Sequence, residues 1–155
     1  MSTALQREIR QSKPFASPEA EAALNVARTA AILDAEIADA LKPHGLTPTQ
    51  YNVLRILRGA GDSGLCRYEV GDRLVTPVPD VTRLLDRLEA GGLVDRARDS
   101  EDRRQVRARI TPQGLDLLGE LDGVLEALHR RQLGHLGADR LRVLIDVLAD
   151  ARQRE

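Results

Sequence analysis

The chain has 155 residues, 42% of them hydrophobic, with 23 basic against 24 acidic side chains and a formal net charge of −1. That length buries one good core and leaves no room for two full domains, and the apolar content excludes general disorder. No run approaches the roughly 18 apolar residues of a membrane span. The start of the chain lacks the apolar stretch of a secretory signal, and the lone Cys66 permits neither an internal disulfide nor a multi-cysteine metal site. The expectation is therefore a single cytoplasmic domain. His44, His129 and His135 are scattered without ligand spacing, so no metal and no cofactor is expected.

The first periodic segment runs from Pro18 to Leu41. Ser17 can cap it, Pro18 fits the first helical position, and Glu19 and Glu21 suit the positive end of the helix dipole. Ala23, Leu24, Ala27, Ala30, Ala31, Leu33, Ile37, Ala38 and Leu41 recur at helical spacing, and Pro43 to Gly45 end the helix. A second helix starts at Thr47-Pro48-Thr49-Gln50, where Thr47 and Gln50 form a capping box, and ends near Gly59 to Gly61. A short helix from Arg67 to Leu74 buries Val70 and Leu74, with the ring of Tyr68 joining the core.

The next helix is expected to have Thr76 as its cap and Pro77 in its first turn. Val81, Leu84, Leu85 and Leu88 form its buried stripe, which leaves Thr82, Arg83, Asp86 and Arg87 facing outward before Gly91-Gly92 stop it. Two strand-like segments follow, one from Leu93-Val94 and one from Val106 to Ile110. In the second, Val106, Ala108 and Ile110 should face the core, and Arg107 and Arg109 solvent or phosphate. The turn between them carries Asp99-Ser100-Glu101-Asp102-Arg103-Arg104. Asp102 reads as an ion-pairing residue that aims an arginine.

Helix, helix, then an arginine-tipped hairpin is the layout of a winged helix-turn-helix, which sets one element in a major groove and another beside it. A net charge of −1 suits duplex binding poorly, but six arginines face only three carboxylates between Arg96 and Arg109, a local net of +3. Lysine occurs only at positions 13 and 42, so almost every cation is an arginine, the side chain suited to bidentate phosphate and guanine contacts.

Beyond Thr111-Pro112 a helix carries Leu115, Leu117, Leu118, Leu121, Val124, Leu125 and Leu128 to about His129. Another runs from about Ala138 through Leu141, Val143, Leu144, Ile145, Val147 and Leu148. These faces exceed what a wing-sized core needs. Together with the Pro18 to Leu41 helix they predict a homodimer interface, with Leu121 and Leu144 as test positions, and hence two reading heads about 34 to 36 Å apart on DNA.

The run Leu74-Val75-Thr76-Pro77, then Val81 to Val94, Arg96, Asp102-Arg103-Arg104 and Ile110-Thr111-Pro112-Gln113-Gly114 resembles the MarR family of bacterial transcriptional regulators. The resemblance implies a mainly α fold with a small β-hairpin wing (α+β). Within a single domain, residues 46–111 would form the winged helix-turn-helix lobe, and residues 17–45 and 112–155 the helical dimerisation lobe. It further implies a regulator, a repressor, that acts as a homodimer on a pseudo-palindromic operator in double-stranded DNA and is released by a small phenolic or anionic effector, without enzymatic activity. The DNA-binding residues expected are Thr76, Val78, Asp80, Thr82, Arg83, Arg87, Arg98, Asp102, Arg103 and Arg104, with Arg104 first and Arg103 second for the minor groove.

Val78 and Pro79 depart from the small polar residues that many members carry there, which shifts the expected binding toward phosphate and groove-shape contacts. Tyr51 is the aromatic candidate for an effector wall. Cys66 reads as a small buried apolar residue rather than a redox sensor. The alternative function is a winged-helix module for protein association without DNA binding. No glycine-rich cofactor motif accompanies the fold, and no Ser-His or Cys-His arrangement is suggested.

Overall fold

The computed structural model describes residues 2–153. Seven α-helices and three strands follow in the order α1 (Ala4–Glu8), α2 (Pro18–Leu41), α3 (Pro48–Ala60), β1 (Leu65–Cys66), α4 (Arg67–Arg73), α5 (Val81–Ala90), β2 (Val94–Arg98), β3 (Val106–Ile110), α6 (Pro112–Leu133) and α7 (Gly137–Arg152). The strands form one antiparallel sheet in the order β1-β3-β2, so the wing hairpin has a third short strand that the sequence pattern does not announce.

The caps are local. Ser17, Thr47 and Thr111 each accept a hydrogen bond from the backbone amide three residues on, and in each case proline takes the first helical position. α5 ends in a Schellman turn: Gly92 takes φ +73°, its amide donates to the Glu89 carbonyl at 2.9 Å, and the Leu93 amide donates to the Leu88 carbonyl at 3.0 Å. A side chain at Gly92 would strain that left-handed backbone. The turn delivers the chain straight into β2.

The core lies among α3, α4, α5, the sheet and α6. Val53, Leu54, Leu57, Val70, Val94, Leu118 and Leu121 are fully buried in it, and Leu41 joins from the end of α2. Leu121 is thus a core residue of its own subunit and not an interface position. A side chain at Gly114 would come within 2.6 Å of the Leu93 carbonyl oxygen and 2.7 Å of Ile110, which is how closely α6 crosses the base of the wing. Arg58 and Asp122 join α3 to α6 through two parallel hydrogen bonds of 2.8 and 3.0 Å.

The outer helices differ. Most of α2 is exposed, with Leu24, Val26 and Ile32 open to solvent, and α7 contains no buried residue. Val143, Ile145 and Val147 of α7 are each more than half exposed. The N-terminal α1, which sequence periodicity does not predict, is capped by a Thr3-Gln6 box, buries Leu5, and approaches α2 through Glu8 and Arg28.

Several expectations are corrected. α5 starts at Val81 with Asp80 as its cap, not at Pro77 with Thr76. The ring of a proline disfavours helical backbone in the residue before it, so Pro77 and Pro79 hold Thr76 and Val78 out of the helix. Val106 is 47% exposed because the hairpin runs past the core beyond Ala108. Tyr68 is 68% exposed and contributes no ring to the core. Cys66 is half-buried and caps α4, where the Glu69 carboxylate accepts from its amide at 2.8 Å.

Candidate nucleic-acid interface

α5 presents Arg83 and Arg87 to solvent along the face opposite its buried Leu85 and Leu88. Thr82 is half-buried beside them. Asp80 commits its carboxylate to the Arg83 amide at 2.9 Å, so it fixes the start of the helix. Val78 packs against the core, whereas Thr76 is exposed on the connector that leads into α5.

The wing divides its six arginines into two groups. Arg96 sits on the row of β2 that begins with the buried Val94 and turns back to α5, donating to Asp86 at 2.5 Å and to Glu89 at 3.1 and 3.2 Å. Those contacts hold the Glu89 carboxyl below its ordinary range. Arg107 donates to Asp99 and, at 3.2 Å, to the Gly64 carbonyl. Arg109 donates to the Asp62 carbonyl at 2.5 Å. Arg107 and Arg109 are therefore held by protein partners and not left free for phosphate, because the wing loop and the segment leading into β1 place acceptors beside them. Arg98, Arg103 and Arg104, by contrast, make neither an ion pair nor a side-chain hydrogen bond among the described residues, and neither do Arg83 and Arg87. Five guanidinium groups on α5 and the wing thus have no protein partner among the described residues.

Asp99 organises the loop that carries two of them. Its carboxylate accepts from Arg107 and from the amides of Glu101, at 2.7 Å, and Asp102, at 3.3 Å. These donors, the arginine first, bring its pKa down to about 2. Asp102 does not form the expected ion pair; its side chain accepts from the Arg104 amide at 3.0 Å and its carbonyl from the Gln105 amide. It shapes the backbone under Arg104 and leaves the guanidinium free. The ion pair that braces the wing comes from Asp99, which sequence reading passed over because its partner lies eight residues away across the hairpin.

A second feature lies beside the connector that leads into α5. A cavity of about 680 Å³ is lined by Asp34 and Ile37 of α2, Tyr51, Asn52, Arg55 and Ile56 of α3, Val75 and Thr76 of the connector, and Leu125 and His129 of α6. Tyr51 is nearly buried, and the Arg55 guanidinium stands 6.0 Å from the centre of its ring. Asn52, Arg55 and His129 were not legible as a set, because α3 and α6, more than fifty residues apart in the chain, bring them together. Among the described residues no group of three or more His, Cys, Asp or Glu is placed to hold a metal ion, and no helix is long and apolar enough to cross a membrane.

Comparison with known proteins supports the same assignment. The MarR family model matches residues 44–105. The chain is 39% identical over 112 residues to the HTH-type transcriptional regulator TtmR of Methylorubrum extorquens, a match covering 72% of this chain and 55% of that protein. It is 40% identical to a MarR transcription factor from Planctomyces limnophilus, whose crystal structure superimposes with a TM-score of 0.68 over 88% of this chain and 98% of that one. Two more distant structures share the fold. One is a cysteine-to-serine variant of MarR from E. coli complexed with operator DNA, at 23% identity and a TM-score of 0.77, covering 98% of this chain and all of that one. The other is BpsR of Bordetella bronchiseptica, described with the regulation of its DNA binding by 6-hydroxynicotinic acid, at 22% identity and 0.76, covering 86% and 99%. The chain belongs to the MarR family of transcriptional regulators.

Proposed function

We propose that this protein is a homodimeric repressor that binds a pseudo-palindromic operator through α5 and the wing and lets go when a small aromatic acid enters the cavity beside the connector into α5. The observation that carries the reading is the set of five arginines, Arg83, Arg87, Arg98, Arg103 and Arg104, whose guanidinium groups have neither ion-pair nor hydrogen-bond partners among the described residues, while Arg96 and Arg107 are ion-paired and Arg109 is held by a backbone carbonyl. Uncompensated arginines on a helix and its adjoining hairpin match a duplex that offers a major groove to the one and a minor groove to the other. Thr82, Arg83 and Arg87 serve the major groove, Arg103 and Arg104 the minor groove, and Arg98 a phosphate. Asp80 and Asp102 act by holding backbone, Val78 by packing the connector on the core, and Thr76 stands exposed on that connector.

Dimerisation is supported by the apolar surface that α2 and α7 leave open, for Leu24, Ile32, Val143, Ile145 and Val147 are between 45% and 63% exposed. The effector reading is supported by the cavity's composition. Arg55 and His129 offer partners for a carboxylate, and Tyr51, Ile37, Ile56 and Leu125 offer walls for a ring.

The test is protection mapping on the DNA flanking the protein's own gene, with wild type and Arg104→Ala compared at matched salt. Wild type should protect two half-sites about one helical turn apart. Arg104→Ala should lose roughly tenfold or more in affinity yet remain dimeric. Unchanged affinity in that variant overturns the role of the wing. Adding 6-hydroxynicotinic acid should weaken protection by wild type and leave Arg55→Ala unmoved; equal response in both overturns the effector site.

A further inference from the structure

Two exposed side chains at the start of α4 serve neither the core nor the wing. The guanidinium of Arg67 lies 4.6 Å from the centre of the Tyr68 ring, donates to the Tyr68 hydroxyl at 2.7 Å and reaches the Thr82 hydroxyl at 3.4 Å. No carboxylate pairs with it among the described residues. An arginine on a merely solvated face has no need of a ring and two hydroxyls to hold it still. Here the charge is fixed in place and left uncompensated, the condition in which a guanidinium loses least freedom on meeting an anion.

The surroundings say which anion. Arg67 and Tyr68, Thr82 of α5, and Arg104 and Gln105 of the wing line one cavity of about 550 Å³ between the helix and the hairpin. When α5 occupies a major groove and the wing the adjacent minor groove, the sugar-phosphate strand dividing the two grooves has to pass between them. We propose that this cavity is the channel for that strand, that Arg67 contacts a phosphate within it, and that Tyr68 is the positioning residue that holds Arg67 ready. The inference rests on the DNA-binding reading and deepens it. The guanidinium fork matches two phosphate oxygens, and because every duplex offers the same phosphates, the contact strengthens binding to all sequences alike. Thr82, held by the same guanidinium, couples this contact to the first turn of α5.

The experiment measures affinity for a mixed-sequence duplex across a salt series with wild type, Arg67→Ala, Tyr68→Ala, Tyr68→Phe and the Arg67→Ala/Tyr68→Ala double variant. Both side chains are exposed, so circular dichroism and thermal midpoints should match wild type. Arg67→Ala should lower the slope of log affinity against log salt by about 0.9 for each phosphate that is no longer neutralised. Tyr68→Ala should weaken binding in the wild-type background and add nothing once Arg67 is gone, with Tyr68→Phe in between because it keeps the ring and loses the hydroxyl. A wild-type slope in Arg67→Ala overturns the phosphate contact. An equal effect of Tyr68→Ala in both backgrounds overturns the positioning role. Wild-type protein that binds no duplex even at low salt overturns the DNA-binding reading itself and this inference with it.

Discussion

The side chain of Asn52 accepts a hydrogen bond from the Val75 amide at 2.9 Å, fastening α3 to the connector that leads into α5. Both residues also line the 680 Å³ cavity. Beyond Val75 the connector is stiff, since Pro77 and Pro79 each fix their own φ and confine the residue before them to extended backbone. On the proposed effector reading, a shift at the cavity wall would be carried along this connector to Asp80, which caps α5.

Asn52→Ala removes that fastening without touching DNA. It should cost about 1 kcal/mol of stability and weaken operator affinity several-fold, as measured by thermal unfolding and by titration with the protected fragment. Wild-type affinity in this variant would show that the connector holds α5 unaided.

Asp99 sets an acid limit on the wing. Its carboxyl titrates at about 2 in the folded protein, below the ordinary range near 4, because Arg107 and two loop amides donate to its charged form. A depressed carboxylate adds stability that is complete above the unfolded pKa and disappears as pH falls through the folded one. The difference in thermal midpoint between wild type and Asp99→Asn should thus stay constant above about pH 5 and shrink between about pH 4 and 2. A difference that ignores pH across that window would exclude Asp99 as the brace.

Ile145→Glu and Leu121→Glu should fail in different ways. Ile145 is 63% exposed on α7, so a charge there leaves the subunit folded but should yield monomer by sedimentation. Leu121 is fully buried against its own subunit, and a glutamate there should unfold the chain. A fully dimeric Ile145→Glu would remove α7 from the interface.

Gly114→Ala probes the packing of α6 on the base of the wing. The added methyl meets the Leu93 carbonyl at 2.6 Å, and backbone cannot swing aside as a flexible side chain can. The expected loss is about 1 to 3 kcal/mol in denaturant unfolding. A neutral result would mean that α6 can shift at its first turn.

Much of the fold was legible because its signals are local. A capping hydroxyl with proline after it, an apolar stripe every three or four residues and a glycine pair at a helix end act within a few residues of themselves, and α2, α3, α5 and α6 follow from them. The start of α5 went astray although its cause is also local: two prolines allowed a first turn in principle, but each excluded the residue before it. Val106 and Tyr68 went astray because apolar periodicity says which face of an element is greasy and not whether the core extends far enough to cover it.

The sequence by itself determined the order of helices and strands, the basic bias of the hairpin and the family resemblance, since each is written in neighbouring residues. Which arginines are free was decided only by the tertiary structure. Arg96, Arg107 and Arg109 look no different from Arg98, Arg103 and Arg104 along the chain, yet the first three find Glu89, Gly64 and Asp62 at distances in sequence of 7, 43 and 47 residues. A guanidinium is held by whatever acceptor, carboxylate or carbonyl, lies within a few ångströms in space, and only folding brings those partners there.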